Sequence, residues 1–197
     1  MDTYRTVGRE AEVEIKIERS LFIDRVRPVE SEEQAKVFIA EVSQKHRQAT
    51  HNAWAYRVDP ERDIRFASDA GEPSGTAGEP ILRAILSRGL TQTAVVVTRY
   101  FGGKKLGVRG LIDAYGGTAG AALDAAGQVE KVITRQLTVT VAYPHLDRCL
   151  YWLNRLGGTV IASSYSEAAH LVLALPRSQV EAFKAEVNDY AEIAGGD

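Results

Sequence analysis

The segment from Arg99 to Gly110 reads RYFGGKKLGVRG and joins a predicted buried strand to a predicted helix. Unpaired amides and the positive end of a helix dipole make such a junction attractive to phosphate or carboxylate groups. Its spacing matches neither the P-loop motif nor the G-x-G-x-x-G motif, so a tight turn with solvated lysines is the alternative. The predicted anion-binding residues of this loop are Arg99, Gly102, Gly103, Lys104, Lys105, Gly107, Arg109 and Gly110.

The distribution of charge and glycine favours the anion-binding interpretation. The stretch from Pro80 to Ile112 contains six basic residues and no acidic one, although the whole chain has a formal net charge of -2. Eleven of the 17 glycines lie between Gly71 and Gly120, and glycine leaves room for a ligand to approach the backbone. Because proteins coated in nucleic acid usually carry a global basic excess, we expect any anion contact to be local.

A second loop, from Ser68 to Pro80, reads SDAGEPSGTAGEP and is rich in hydroxyls, carboxylates and turn-forming residues. It is predicted to be a recognition loop in which Ser74 and Thr76 contribute to ligand binding. It is equally consistent with self-capping, in which Asp69, Ser74 and Thr76 bond to nearby backbone amides. The two interpretations are compatible.

Candidate acid/base groups are few. His51 with Asp69 or Glu72 would form a proton-transfer pair only if the fold brought them together, and a lone histidine is more often structural. Ser74 does not lie in G-x-S-x-G, and the four histidines form no H-E-x-x-H motif. Cys149 is the only cysteine, which argues against a disulfide or cysteine metal site within the chain. We therefore expect no catalytic residue, metal or cofactor.

Hydrophobic periodicity divides the 197 residues into two α+β domains. The first, residues 1–133, is predicted to contain strands near 13–17, 21–26, 53–58, 64–68 and 94–98, with helices near 32–47, 80–89 and 110–126. The second, residues 134–197, follows the β-α-β-β-α-β order of a ferredoxin-like domain. The aromatic residues of the 53–68 hairpin, Trp54, Tyr56 and Phe66, are predicted to pack in the core rather than to stack on bases.

The amino terminus lacks the layout of an export signal, and no apolar stretch approaches the ~20 residues needed to cross a bilayer. We therefore expect a cytoplasmic protein without membrane contact.

The string GEPSGTAGEPIL followed by VVVTRYFGGKKLGVRGLIDAY resembles the signature of the IMPACT/YigZ family. KIERSLFI and HNAWAY resemble earlier motifs of the same family, and the likeness extends over nearly the whole chain. The resemblance implies an N-terminal α+β domain of the superfold shared by a small-subunit ribosomal protein, elongation factor G and the GHMP kinases. It also implies a C-terminal ferredoxin-like domain similar to the last domain of elongation factor G.

The family's eukaryotic members regulate translation by binding the activator of the amino-acid-starvation kinase, and nucleic-acid binding by bacterial members is inferred from their fold. The resemblance therefore predicts a non-catalytic RNA- or ribosome-associated protein that regulates translation. Two alternatives stay open. One is an enzyme, a hydrolase or an enzyme of phosphorylated substrates, that uses His51, Asp69 and Glu72. The other is a module that sequesters a protein partner in translation control, indicated by an exposed apolar patch outside the basic loop.

The chain departs from the family's usual pattern at Ala70, Val108, Arg109 and Asp113. Arg109 stands where the family more often has glycine, which strengthens a phosphate contact but narrows the space for a ligand. Asp113 removes a positive charge one turn into the helix.

Overall fold

The computed structural model describes residues 2–195, which fold into two compact units. One unit spans Tyr4–Lys131, and the other contains residues 132–195 together with Asp2 and Thr3. Among the described residues, no helix combines the length and apolarity that crossing a bilayer requires.

The first unit is built on a five-stranded antiparallel sheet with the order β2-β3-β6-β4-β5. Helices α2 and α3 cover one face, and α1 covers the other. A separate two-stranded ribbon pairs β1 with β7. The elements are β1 (Thr3–Val7), β2 (Ala11–Ile17), β3 (Ser20–Pro28), α1 (Glu32–Lys45), β4 (His51–Val58), β5 (Ile64–Ser68), α2 (Gly78–Ser87), β6 (Thr93–Tyr100), α3 (Gly107–Ala126) and β7 (Gln128–Val132).

The central strand β6 explains why helices lie on both faces of this sheet. Its residues from Thr93 to Arg99 are all buried, as expected of an apolar, β-branched run without alternation. Val95 and Val97 face α2 and α3, whereas Ala94 and Val96 face α1. Two buried layers therefore meet at β6, and the strand ends at the glycine-rich loop.

The second unit has the predicted ferredoxin-like topology. Its sheet has the order β11-β8-β10-β9, and the helices pack on one face. The elements are β8 (Thr134–Val141), α4 (Tyr143–Arg155), β9 (Thr159–Tyr165), β10 (Ala169–Pro176), a 3-10 turn (Arg177–Gln179), α5 (Val180–Val187) and β11 (Ala191–Gly195). Leucines 171, 173 and 175 of β10 are buried beneath the helices, whereas His170, Val172 and Ala174 lie on the open face and are partly exposed.

The structure differs from the sequence-based expectation in three places. Strands β1 and β7 were not predicted, and α3 begins at Gly107, three residues before the predicted start. Tyr56 is a core residue, but the ring of Phe66 is 54% exposed on edge strand β5, so the core assignment holds only in part. Phe66 is exposed because α1 packs over the centre of the sheet, beside Tyr56, and leaves its edge uncovered.

Candidate functional site

A buried polar cluster lies where β6 reaches the loops, and Glu72 is at its centre. Glu72 Oε1 accepts a hydrogen bond from Arg99 Nη1 at 2.7 Å and another from the Tyr115 hydroxyl at 2.8 Å. Arg99 Nη2 lies 3.3 Å from Ser20 Oγ. The side chains of Glu72 and Arg99 are only 4% and 6% exposed, so this is a desolvated ion pair with charge-assisted hydrogen bonds. Burial and the Glu72 carboxylate raise the pKa of Tyr115.

His51 lies beside this pair because strand pairing places it opposite Arg99. Its Nδ1 is 2.9 Å from the carbonyl oxygen of Ala70, and its Nε2 is 3.7 Å from Glu72 Oε2. Because a carbonyl oxygen only accepts, Nδ1 is the donor in that hydrogen bond, and Nε2 points toward the carboxylate. The structure therefore brings two of the three candidate acid/base groups together.

Asp69, the third candidate, accepts hydrogen bonds from the backbone of its own loop. Its carboxylate accepts hydrogen bonds from the amides of Gly75, Ala77 and Gly78 at 2.8–3.0 Å. Burial alone would raise the pKa of Asp69, but the three amides hold it below its ordinary value. Thr76 is buried and donates to the Pro73 carbonyl oxygen. The self-capping interpretation thus describes Asp69; Thr76 bonds to a carbonyl oxygen rather than to an amide, and Ser74 is exposed.

Arg99 does not contribute an exposed cation to the basic loop. Pairing opposite Phe22 and His51 places Arg99 on the face of the sheet that α2 and α3 cover. Its guanidinium lies 5.7 Å from the Phe22 ring and 5.4 Å from the Phe101 ring. Its charge is neutralised by Glu72. Arg99 was predicted to be an anion-binding residue of the loop because its ion pair with Glu72, 27 residues earlier, is not evident from the local sequence.

The loop after β6 is held against the residue before β4 and against the turn between β2 and β3. The amide of Phe101 donates to Thr50 Oγ1 at 2.9 Å, and that of Gly102 lies 3.4 Å from Ser20 Oγ. A Cβ added to Gly102 would lie 1.8 Å from the carbonyl oxygen of Arg19. Gly103 and Gly107 have φ of +88° and +72°, and a Cβ added to either would meet no atom within 4 Å. These two glycines are therefore favoured by their positive φ and not by close packing.

We expect Gly102→Ala to displace this loop from the hairpin turn, because the added methyl group would overlap backbone that cannot rotate away. Overpacking of this kind costs typically ~1–3 kcal/mol, and a backbone clash lies at the upper end. Urea unfolding would measure the loss of stability. Gly103→Ala is the control: it carries the strain of a positive φ but meets no atom within 4 Å, so a larger loss there than at Gly102 would contradict the close approach.

The cations of the loop divide into paired and unpaired residues. Lys104 forms an ion pair with Glu18. Lys105 and Arg109 are exposed, and no carboxylate lies within ion-pair distance of either among residues 2–195. Arg19 is also exposed, and its carbonyl adjoins Gly102, so it brings a further cation that sequence reasoning missed. The sequence feature that could have identified Arg19 is the motif KIERSLFI, residues 16–23, which contains it.

A shallow cavity of about 440 Å³ adjoins Lys104 and Lys105. Its lining combines apolar groups with both signs of charge: Ile17, Glu18, Lys104, Lys105, Leu106, Gly110, Asp113 and Ala114. Exposed apolar side chains lie nearby in sequence: Phe101 is 45% exposed, Val108 62% and Ile112 37%. These three apolar side chains therefore belong to the basic segment, whereas Val160, Ile161 and Tyr165 are exposed in β9, outside it.

A second buried carboxylate, Asp24, lies on the same face of the sheet beneath α3. Asp24 is fully buried, and neither carboxylate oxygen has a hydrogen-bond partner within 3.5 Å among the described residues. Burial raises the pKa of Asp24 to about 8, and the nearby Thr118 hydroxyl opposes this shift only in part. Alternation along β3 places Asp24 on the same face as Phe22 and Val26, which pack under α2 and α3, and this alternation was the signal in the sequence.

No group of three or more His, Cys, Asp or Glu side chains in the described part of the chain is arranged to hold a metal ion.

Comparison with known proteins gives a family match for each half of the chain. The family model of the Impact N-terminal domain matches residues 18–123, and that of a domain of unknown function, DUF1949, matches residues 139–191. The chain belongs to the IMPACT family. The first match contains the whole Glu72–Arg99–Tyr115 cluster and the basic loop, so the candidate site lies in the domain that defines the family.

Individual relatives agree with this assignment. IMPACT family member YigZ of Escherichia coli K12 is 35% identical over 179 residues, which cover 89% of this chain and 87% of YigZ. IMPACT family member YvyE of Bacillus subtilis 168 is 43% identical over 148 residues, covering 75% and 68% of the two chains. The crystal structure of a hypothetical protein is 30% identical, with a TM-score of 0.73 over 98% of this chain and 97% of its own.

Proposed function

We propose that this IMPACT family member acts in translation control by binding RNA phosphates, on or near the ribosome, with the basic loop of its first domain. Family membership fits a role in translation control. The observation that carries the RNA proposal is the juxtaposition of Lys105 and Arg109, exposed and without carboxylate partners among residues 2–195, with Arg19 on the adjoining turn.

The backbone at this position supports the same proposal. Lys105 and Arg109 flank the start of α3, a 20-residue helix whose first turn has no side-chain cap and no acidic residue. Its dipole and first amides favour a negative group there, and the two side chains add full charges. Glu18 and Asp113 limit the positive field, so we expect a small number of phosphate contacts and strong dependence on salt.

We expect Lys105→Ala/Arg109→Ala to weaken binding of a structured RNA by ~10-fold or more at low salt, because two phosphate contacts are lost. Fluorescence anisotropy of a labelled RNA hairpin would measure the dissociation constants. Lys36→Ala/Arg62→Ala is the matched control, since it removes two exposed cations from another part of the domain. Equal weakening by both double variants, or no binding by the unmodified protein, would refute the proposal.

A second candidate function, proton-transfer catalysis, is favoured by the His51–Glu72 contact at 3.7 Å. His51 would transfer a proton through Nε2, which lies beside Glu72, and the Ala70 carbonyl would orient the ring through Nδ1, whereas Asp69 is committed to three amides. Assays on phosphate esters and peptides would test this: turnover that disappears in His51→Gln with a bell-shaped pH profile supports it, and absence of turnover refutes it.

A further inference from the structure

Edge strand β9 of the ferredoxin-like domain lacks the features that normally prevent strand edges from pairing. Its seven residues, Thr159–Tyr165, are all exposed, and none is charged. β9 bonds only to β10, so its other edge presents backbone donors and acceptors to solvent. Val160, Ile161 and Tyr165 are 44%, 51% and 60% exposed. Exposed, uncharged edges of this kind are templates for another strand.

The other free edges of the two main sheets all carry charge. Those edges are β2, β5 and β11. Their charged residues are Glu12, Glu14 and Lys16 in β2, Arg65 in β5 and Glu192 in β11. Charge on an edge strand is a common protection against pairing, because an incoming strand must desolvate it. Of the sheet edges in the described residues, β9 alone lacks this protection.

A bulge limits the part of β9 that can pair regularly. Val172 of β10 lies opposite Ala162, but the next residue, Leu173, lies opposite Val160, so Ile161 is left out of the ladder. Bulges disrupt pairing where they occur. The regular stretch is therefore Ala162–Tyr165, and it is neutral throughout.

We infer that β9 pairs with β9 of a second copy of this chain, antiparallel and across a two-fold axis between Ser163 and Ser164. Two-fold pairing brings a strand against a second copy of itself, so a strand with several like charges near the axis would repel its copy. Ala162–Tyr165 carries none. In this register Tyr165 lies opposite Ala162 of the second copy, a large ring against a small side chain.

The open face of β10, beside β9, is also compatible with pairing to a second copy of this chain. The outward residues of β10, His170, Val172 and Ala174, include no Lys, Arg, Asp or Glu, so pairing extends a neutral surface across the axis. The strand offers no charge with which to select a differently charged partner. A second copy satisfies the requirement for a neutral, extended backbone.

Sedimentation velocity over a wide concentration range would test the inference on the full-length protein. We expect a reversible monomer–dimer equilibrium, with slower exchange of β9 amides in the dimer. Ser163→Lys/Ser164→Lys should weaken the dimer roughly tenfold or more, because positions 163 and 164 lie opposite each other across the axis, and like charges then meet on both faces of the paired strands. Ser163→Thr/Ser164→Thr, which is neutral and suits a strand, is the matched control and should leave the dimer intact.

Mixing Ser163→Lys/Ser164→Lys with Ser163→Glu/Ser164→Glu supplies a rescue, because opposite charges then face each other across the axis. We expect a heterodimer at low salt that neither double variant forms alone. A protein that stays monomeric up to its solubility limit would overturn the inference, and so would a dimer that Ser163→Lys/Ser164→Lys leaves unchanged. These outcomes are independent of RNA binding, which involves the other domain.

Discussion

Replacing Asp24 by Asn is expected to stabilise the protein at alkaline pH, by at most ~6 kcal/mol, since each pKa unit corresponds to ~1.4 kcal/mol. The reason is that a charged carboxylate at this position has no partner beneath α3. Burial raises the pKa of Asp24 from 3.8 to about 8, so the folded state holds the proton more tightly than the unfolded chain does. The contribution of Asp24 to stability is therefore fully present below pH 3.8 and is lost as the pH rises to about 8.

Urea unfolding at pH 5 and pH 9 would measure the difference between wild type and Asp24→Asn. We expect the gain from the substitution to be larger at pH 9, because Asn is neutral at both values. Asp113→Asn, an exposed carboxylate on α3, is the matched control and should show little pH-dependent gain. If Asp24→Asn gains no more at pH 9 than at pH 5, Asp24 is not a buried, unpaired carboxyl.

The second large effect is expected at the buried ion pair. Glu72→Gln or Arg99→Met alone should cost ~3–5 kcal/mol of stability, because either change leaves one buried charge without its partner. Gln at position 72 retains an acceptor for the Tyr115 hydroxyl, so the loss is attributable to charge. The double variant should recover much of the loss, since replacing both members of a buried pair by neutral groups is often nearly neutral.

Urea unfolding of the four proteins would form a double-mutant cycle. Glu18→Gln and Lys104→Met provide the control cycle, because that pair is 51–58% exposed and should be worth less than ~1 kcal/mol. If the losses at Glu72 and Arg99 simply add, the two residues do not form a coupled pair.

The fold was largely predictable because hydrophobic periodicity is a local property. The ferredoxin-like order was evident from the alternation in β8 and β10 and the helical spacing between them. Strands β1 and β7 were missed because they are short and charged and form a separate ribbon with each other, so their structure depends on a partner more than 100 residues away.

The site was predictable only in part, because contacts between segments that are distant in sequence leave no signal in the local sequence. The loop from Phe101 to Leu106 follows the buried strand as expected, but Arg99 belongs to the interior because Glu72 neutralises it. Arg19 was missed because its proximity to Gly102 arises from the packing of a distant hairpin turn. Asp24 was missed because a carboxylate in a strand is normally assigned to the exposed face.

The salt dependence of RNA binding tests the central proposal most directly. Log Kd against log salt concentration should be linear for the unmodified protein, and Arg19→Ala/Lys105→Ala/Arg109→Ala should reduce the slope by ~2–3, as each lost phosphate contact contributes ~0.7–0.9. An unchanged slope in the triple variant, or binding that does not respond to salt, would contradict an RNA-phosphate site at this loop.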